Sequence, residues 1–148
     1  METSTRWPFQ RELKRTNPPS GHRRWIFVAY DQLSDRIGPL ARLEPNEAAI
    51  VVVEAPWKAS LRPYHRRKLA LVLANMRHFA LEQARRGVHV RHVVSTGTYA
   101  DALGEIAKEV GGLLAMEPAE RELRVDLAQL VECGLIEYEA HGRWLTSA

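Results

Sequence analysis

The sequence has a single cysteine, Cys133, in 148 residues. An internal disulfide is excluded, and so is a cysteine-rich metal or iron–sulfur site built from this chain alone. Cys133 falls in DLAQLVECG, a stretch that reads as helix, where a small buried side chain is expected. No apolar run approaches the roughly 18 residues a membrane span needs. The opening METSTRWPFQ has no hydrophobic centre of the kind a signal peptide carries. Cytoplasm is the expected compartment, with no membrane partner.

Several chemical signatures are missing as well. No GxGxxG follows the first apolar run, and no GxxxxGK[ST] occurs, which argues against an ordinary dinucleotide or P-loop site. GxSxG is absent, and no serine, histidine and acid suggest a triad. The histidines do not compensate. His89 and His92 are three apart on an expected strand and point to opposite faces. His65 and His78 are thirteen apart on one helix, about 220° around its axis. No metal site is expected.

What remains is an ordinary globular composition, 45% hydrophobic and 26% charged, at a length typical of one domain. The net charge of +3 is unevenly placed. Residues 1–24 hold Arg6, Arg11, Lys14, Arg15, Arg23 and Arg24 against Glu2 and Glu12, while the rest of the chain is close to neutral. Residues 1–23, with Pro8, Pro18, Pro19, Ser20 and Gly21 and no apolar period, read as a flexible basic tail. Nucleic acid is the partner such a tail could touch. Residues 24–148 form the expected folded domain.

Within it, Trp25 to Tyr30 reads as a strand, and Ala49 to Glu54 as a strand buried on both faces. Leu69, Val72, Leu73, Met76, Phe79, Ala80 and Gln83 make the inner stripe of a helix over 64–86, ended by Gly87. Val88–Val94 is a third strand. Thr98, with Asp101 three residues on, caps a helix running to about Val110. Leu113–Met116 is a fourth strand, Glu117-Pro118 opens a helix, and Leu135–Glu139 is a fifth strand. Strands alternating with helices give an α/β fold: a Rossmann-like five-stranded parallel sheet with helices on both faces.

Ligands of such sheets gather beyond the carboxyl ends of the strands, where strand order reverses. The segments starting at Tyr30, Glu54 and Met116 place polar groups there, although Ser34, Asp35 and Glu117 also suit helix starts. A second oddity is the cluster Arg62, His65, Arg66, Arg67 and Lys68 at a helix start, where the macrodipole disfavours positive charge. A solvated face explains it, as does an anionic partner.

Taken in order, four segments resemble the N-terminal domain of the deoxyribodipyrimidine photolyase-related family. This is the iron–sulfur bacterial branch of the cryptochromes and photolyases. The segments are DQLS after the first strand, Glu54 to Ser60, the helix HRRKLALVLANMRHFALE and the turn Glu117-Pro118, and the likeness runs from about Trp25 to Leu145. The resemblance implies a module that precedes a helical domain holding FAD, the iron–sulfur cysteines and the DNA lesion. That helical part is absent from this sequence, so no FAD or iron–sulfur cluster is expected here, and no catalysis by the chain alone. By family position, a ribityllumazine-type antenna chromophore would lie against Asp31, Gln32, Val53, Glu54, Lys58, Leu61 and Glu117. Tyr30 stands where that family usually has Gly, Lys58 where an acid is expected and Leu61 where an aromatic is. The implied roles are an antenna-chromophore module or a docking module for a separate helical FAD domain or a second copy, in DNA photorepair or light sensing. The alternatives are a repurposed small-ligand or nucleotide-binding module, and a vestigial truncated gene product.

Overall fold

The computed structural model describes residues 8–55 and 66–139. The elements in order are α1 (Pro8–Thr16), β1 (Arg24–Phe27), α2 (Gly38–Arg42), a 3-10 turn (Pro45–Glu47), β2 (Ala48–Glu54), α3 (Arg66–Arg86), β3 (His89–Val94), α4 (Tyr99–Val110), β4 (Leu113–Ala115), α5 (Arg121–Glu132) and β5 (Ile136–Tyr138). The strands form one sheet in the order β3-β2-β1-β4-β5, every neighbouring pair parallel. The α/β architecture expected from the sequence is the one observed.

Side chains alternate across a strand, and here each face of the sheet has its own core. Ile26, Val28, Ile50, Val52 and Val90 pack with Leu13 of α1, Leu40 of α2 and Met76, Phe79, Ala80 and Ala84 of α3. Phe27, Ala29, Val51, Val53, Leu113 and Ala115 pack with Leu103, Ile106 and Ala107 of α4 and Leu123 and Leu127 of α5. All seven residues of β2 are buried, which is why its sequence is almost uniformly apolar.

The local signals act as their chemistry dictates. Thr98 and Asp101 form a reciprocal capping box, and Gly111 ends α4 at φ 87°, a conformation that suits a residue without Cβ. Two boundaries differ from the sequence reading. α5 begins at Arg121, not at Glu117-Pro118, because Arg124 Nη1 donates to Pro118 O (2.8 Å) and Ala119 O (2.6 Å) and holds those residues in a loop. Cys133 is exposed just beyond the end of α5, so the expected burial is not found.

The larger difference is at the N-terminus. Residues 1–23 read as a tail without regular structure, yet Pro8–Thr16 is a helix with Leu13 only 5% exposed in the α3 core. Burying such a leucine contributes about 1.5–3 kcal/mol. The next residues seal the open edge of β3. Asn17 Nδ2 donates to Val90 O and Asn17 Oδ1 accepts from Val90 N, both at 2.8 Å. His89 Nδ1 lies 2.7 Å from Pro18 O. An unpaired edge strand invites association with another strand, and this segment removes that opportunity.

Candidate functional site: the carboxyl edge of the sheet

Glu54, the last residue of β2, is 2% exposed and cannot be left unpaired at such a depth. Arg77 of α3 grips it with both arms, Nε to Oε2 at 2.7 Å and Nη2 to Oε1 at 2.8 Å. His92 Nε2 lies 2.6 Å from Oε2, and the other ring nitrogen is 2.8 Å from Gln10 Nε2 on α1. Phe9 closes the cluster, its ring edge-on to His92 and 5.7 Å from the Arg77 guanidinium carbon. Burial alone would push the Glu54 carboxyl up. The hydrogen bonds and charges of Arg77 and His92 outweigh it and hold the group at about 2. The cluster ties β2, β3, α3 and α1 together on one face of the sheet.

The strand order reverses at β1 and β4. Here Gln32 spans the crevice, its Nε2 donating to Met116 O at 3.4 Å and Glu117 O at 3.3 Å. α2 packs from the side at Gly38, whose φ of 66° and 2.6 Å gap between an added Cβ and Met116 Sδ suit glycine alone. The remaining cavity, lined by Gln32, Ser34, Ile37, Leu40 and Met116 among others, is about 10 Å³. That is about the space of one water, whereas small-molecule sites run to about 300 Å³ and more.

Beside the crevice stand two phenols and several acids. Tyr30 is half-buried, and burial, then its hydrogen bond to Glu120, raises its hydroxyl far above the usual range. Tyr99 is buried, and burial followed by the charges of Glu120, Asp126 and Asp31 pushes it to about 12. Both remain protonated donors at neutral pH. Asp126 Oδ2 also accepts from Tyr99 N at 3.0 Å, and Asp31 is exposed. Further along the same edge, an open groove of about 390 Å³ is lined by Glu117, Arg121, Arg124, Val125, Ala128, Val131 and Tyr138. The Tyr138 hydroxyl is buried without a hydrogen-bond partner among the described residues. No group of three His, Cys, Asp or Glu suited to a metal occurs among the described residues.

Compared with known proteins, residues 26–148 match the family model described as deoxyribodipyrimidine photo-lyase-related protein. This chain belongs to that family. It is also 28% identical over 109 residues to a (6-4) photolyase of Agrobacterium fabrum (strain C58 / ATCC 33970). That alignment covers 69% of this chain and 22% of the relative, so the chain spans about a fifth of the photolyase it matches.

Within this photolyase-related chain, the positions proposed to line an antenna pocket do not all converge. Asp31, Gln32 and Glu117 share the β1–β4 edge, with Gln32 bonded to the Glu117 carbonyl. Val53 is a core residue on the α4 side. Glu54 faces the other way, under α1, and its oxygens are taken by Arg77 and His92. Lys58 and Leu61 lie outside the described residues.

Sequence reasoning missed Arg77, His92 and Gln10 as partners of Glu54, and Tyr99 and Glu120 as neighbours of Tyr30. A signal for the first group existed. A glutamate closing an apolar run buried on both faces needs a cation, and Arg77 sits between Met76 and Phe79 on the inner side of the longest helix.

Proposed function

We propose that this chain is the non-catalytic α/β module of a photolyase-related protein and acts by seating a helical FAD-binding partner on the carboxyl edge of its sheet. The partner serves light-driven DNA repair or light sensing, and this chain contributes a rigid platform. One observation carries the reading. Among the described residues, the large apolar side chains that stay exposed are Ile37, Leu71, Val94 and Val125. Ile37 precedes α2, Leu71 lies in the second turn of α3, Val94 ends β3 and Val125 lies in the second turn of α5. In a parallel sheet with antiparallel helices, strand ends and helix starts share one edge, so all four lie toward the carboxyl side, Leu71 on the α3 face of the sheet and Val125 on the α5 face.

Two features of the same edge support docking over chromophore storage. The crevice at the strand reversal is plugged by Gln32 and Met116. The Tyr138 hydroxyl beside the 390 Å³ groove has no acceptor within the described chain, and leaving it unbonded costs about 1–3 kcal/mol. An open groove of this size can accept side chains of a docked surface.

The test is to mix the purified chain with the FAD-loaded helical part of a photolyase-related protein and follow flavin absorbance through size-exclusion chromatography. Co-migration is expected, with at least tenfold weaker association for Ile37→Asp and Val125→Asp. Separate elution, or equal association of the variants, overturns the reading. Self-association of the chain that these variants abolish would reassign the edge to a second copy.

A further inference from the structure

The first half of α3 departs from the pattern that the second half keeps. Leu69, Ala70, Leu71, Val72, Leu73 and Ala74 are consecutive, so this part of the helix is apolar on every side. A helix of that kind is ordinarily buried all round. Here none of these residues is buried. Leu69, Val72 and Leu73 are half-buried, Ala70 and Ala74 are exposed, and Leu71 is 62% exposed. Further along, Met76, Phe79, Ala80 and Ala84 all sit in the core. α1 packs beside that second half, where Phe9 meets Arg77 and Glu12 meets Arg85.

The charges at the ends of this stripe indicate what covers it. Arg67, Leu71, Ala74, His78 and Glu82 fall within a sector of about 80° at the 3.6-residue period. All of them are exposed. Arg67 and Glu82 lie about 22 Å apart along the axis. Neither has an ion pair or hydrogen bond among the described residues. The stripe therefore carries a cation at one end, an anion at the other and a neutral middle.

We infer that this stripe binds the same stripe of a second copy, the two α3 helices running antiparallel about a two-fold axis between Ala74 and Asn75. A closed dimer needs a self-complementary surface, on which residue i of one copy meets residue j of the other and j meets i. Antiparallel pairing about that axis sets Arg67 against Glu82 of the second copy, and Glu82 against Arg67 of the second copy. Leu71 then lies over His78 and Ala74 over Asn75. With only a methyl group at Ala74, the helix axes can approach to about 8 Å, the short end of the usual range. A parallel pair would oppose Arg67 to Arg67 and Glu82 to Glu82, and like charges facing across an interface are costly.

A stripe of about 22 Å by the roughly 10 Å width of a helix covers a few hundred Å² on each copy, below the about 800 Å² per partner of a standard interface. The dimer is accordingly weak and concentration-dependent. The inference does not rest on the docking reading. Of the exposed apolar side chains toward the carboxyl side it uses Leu71 alone, and its surface is the outer side of α3.

The test is sedimentation velocity of the full chain over a concentration series, where a monomer–dimer equilibrium is expected. Arg67→Glu and Glu82→Arg should each weaken dimerisation at least about tenfold, because each sets like charges against one another. Combining the two restores opposite signs and should return the affinity to within about threefold of wild type. Leu71→Asp should abolish the dimer, and Lys108→Glu on α4 should leave it intact. In a Cys133→Ser background, Ala74→Cys should give a disulfide-linked dimer under mild oxidation while Lys108→Cys stays monomeric. The altered positions are all exposed, so circular dichroism should be unchanged. If Leu71→Asp fails to fold, the charge reversals decide alone. A chain that stays monomeric at every concentration, a double variant no tighter than the single ones, or a dimer lost through Ile37→Asp or Val125→Asp overturns the inference.

Discussion

Replacing Arg77 by methionine should be among the most damaging single changes in this protein, and the damage should depend on pH. The methionine keeps most of the apolar stem but leaves the Glu54 carboxylate, 2% exposed, with only His92 Nε2 at 2.6 Å. Removing one partner of a buried pair costs about 3–5 kcal/mol, because the remaining charge is left uncompensated. The pKa gives an independent figure. Glu54 sits at about 2 in the folded state against an ordinary 4.5, and at about 1.4 kcal/mol per pH unit this is worth roughly 3 kcal/mol. The sign follows from the direction. A lowered folded value means the carboxylate stabilises the fold above the unfolded value near 4.5, and this is lost as pH falls from about 4.5 through about 2. Urea titrations of wild type and Arg77→Met at pH 7 should differ by about 3 kcal/mol, or roughly 10 °C in thermal midpoint for a chain of this size. The gap should narrow steadily below pH 4.5. A cost under 1 kcal/mol at pH 7, or a gap that stays constant down to pH 3, would refute the assignment of Glu54 as a paired, buried carboxylate.

Other expectations follow from single contacts. Thr98→Ala removes the side-chain acceptor for Asp101 N at 3.1 Å and should cost about 1 kcal/mol in urea denaturation, with Thr98→Ser close to neutral. Gly38→Ala forces a side chain into φ 66° and against Met116, and should destabilise by about 1–3 kcal/mol in the same assay. Incubation with dimethyl-ribityllumazine followed by desalting should leave no visible absorbance on the wild-type chain if the carboxyl edge serves docking alone, and retained, red-shifted dye would reassign that edge to an antenna chromophore. Spectrophotometric titration at 295 nm should find Tyr99 ionising only near pH 12, and a transition near 10 for every tyrosine would contradict its burial.

The fold was legible because each element carries its period locally. The both-face burial of Val51, Val52 and Val53, the inner stripe of Met76, Phe79 and Ala80, and the Thr98–Asp101 cap are all written in neighbouring residues. α1 was not legible. Its apolar content is essentially Phe9 and Leu13, one helical turn apart, and its stability comes from packing on α3 and from Asn17 at the β3 edge. Such tertiary support leaves no period in the sequence. The start of α5 was misplaced because proline suits a first helical turn equally well as a loop, and the deciding contact is made by Arg124, six residues later. Of the site, the carboxyl-edge position of Asp31, Gln32 and Glu117 follows from topology alone. The orientation of Glu54 away from that crevice depends on which face of β2 it occupies and on Arg77, a long-range pairing that spacing along the chain does not express.

If the carboxyl edge seats the helical partner, amide hydrogen exchange should register the contact residue by residue. Amide exchange would be compared for the chain alone and with the FAD-loaded helical part of a photolyase-related protein. New protection is expected around residues 30–38, Val94, the first turns of α5 and Tyr138, with the amino edge near Gly87 and Gly111 unchanged. Protection confined to the amino edge, or none at all in a mixture that forms a complex, would contradict it.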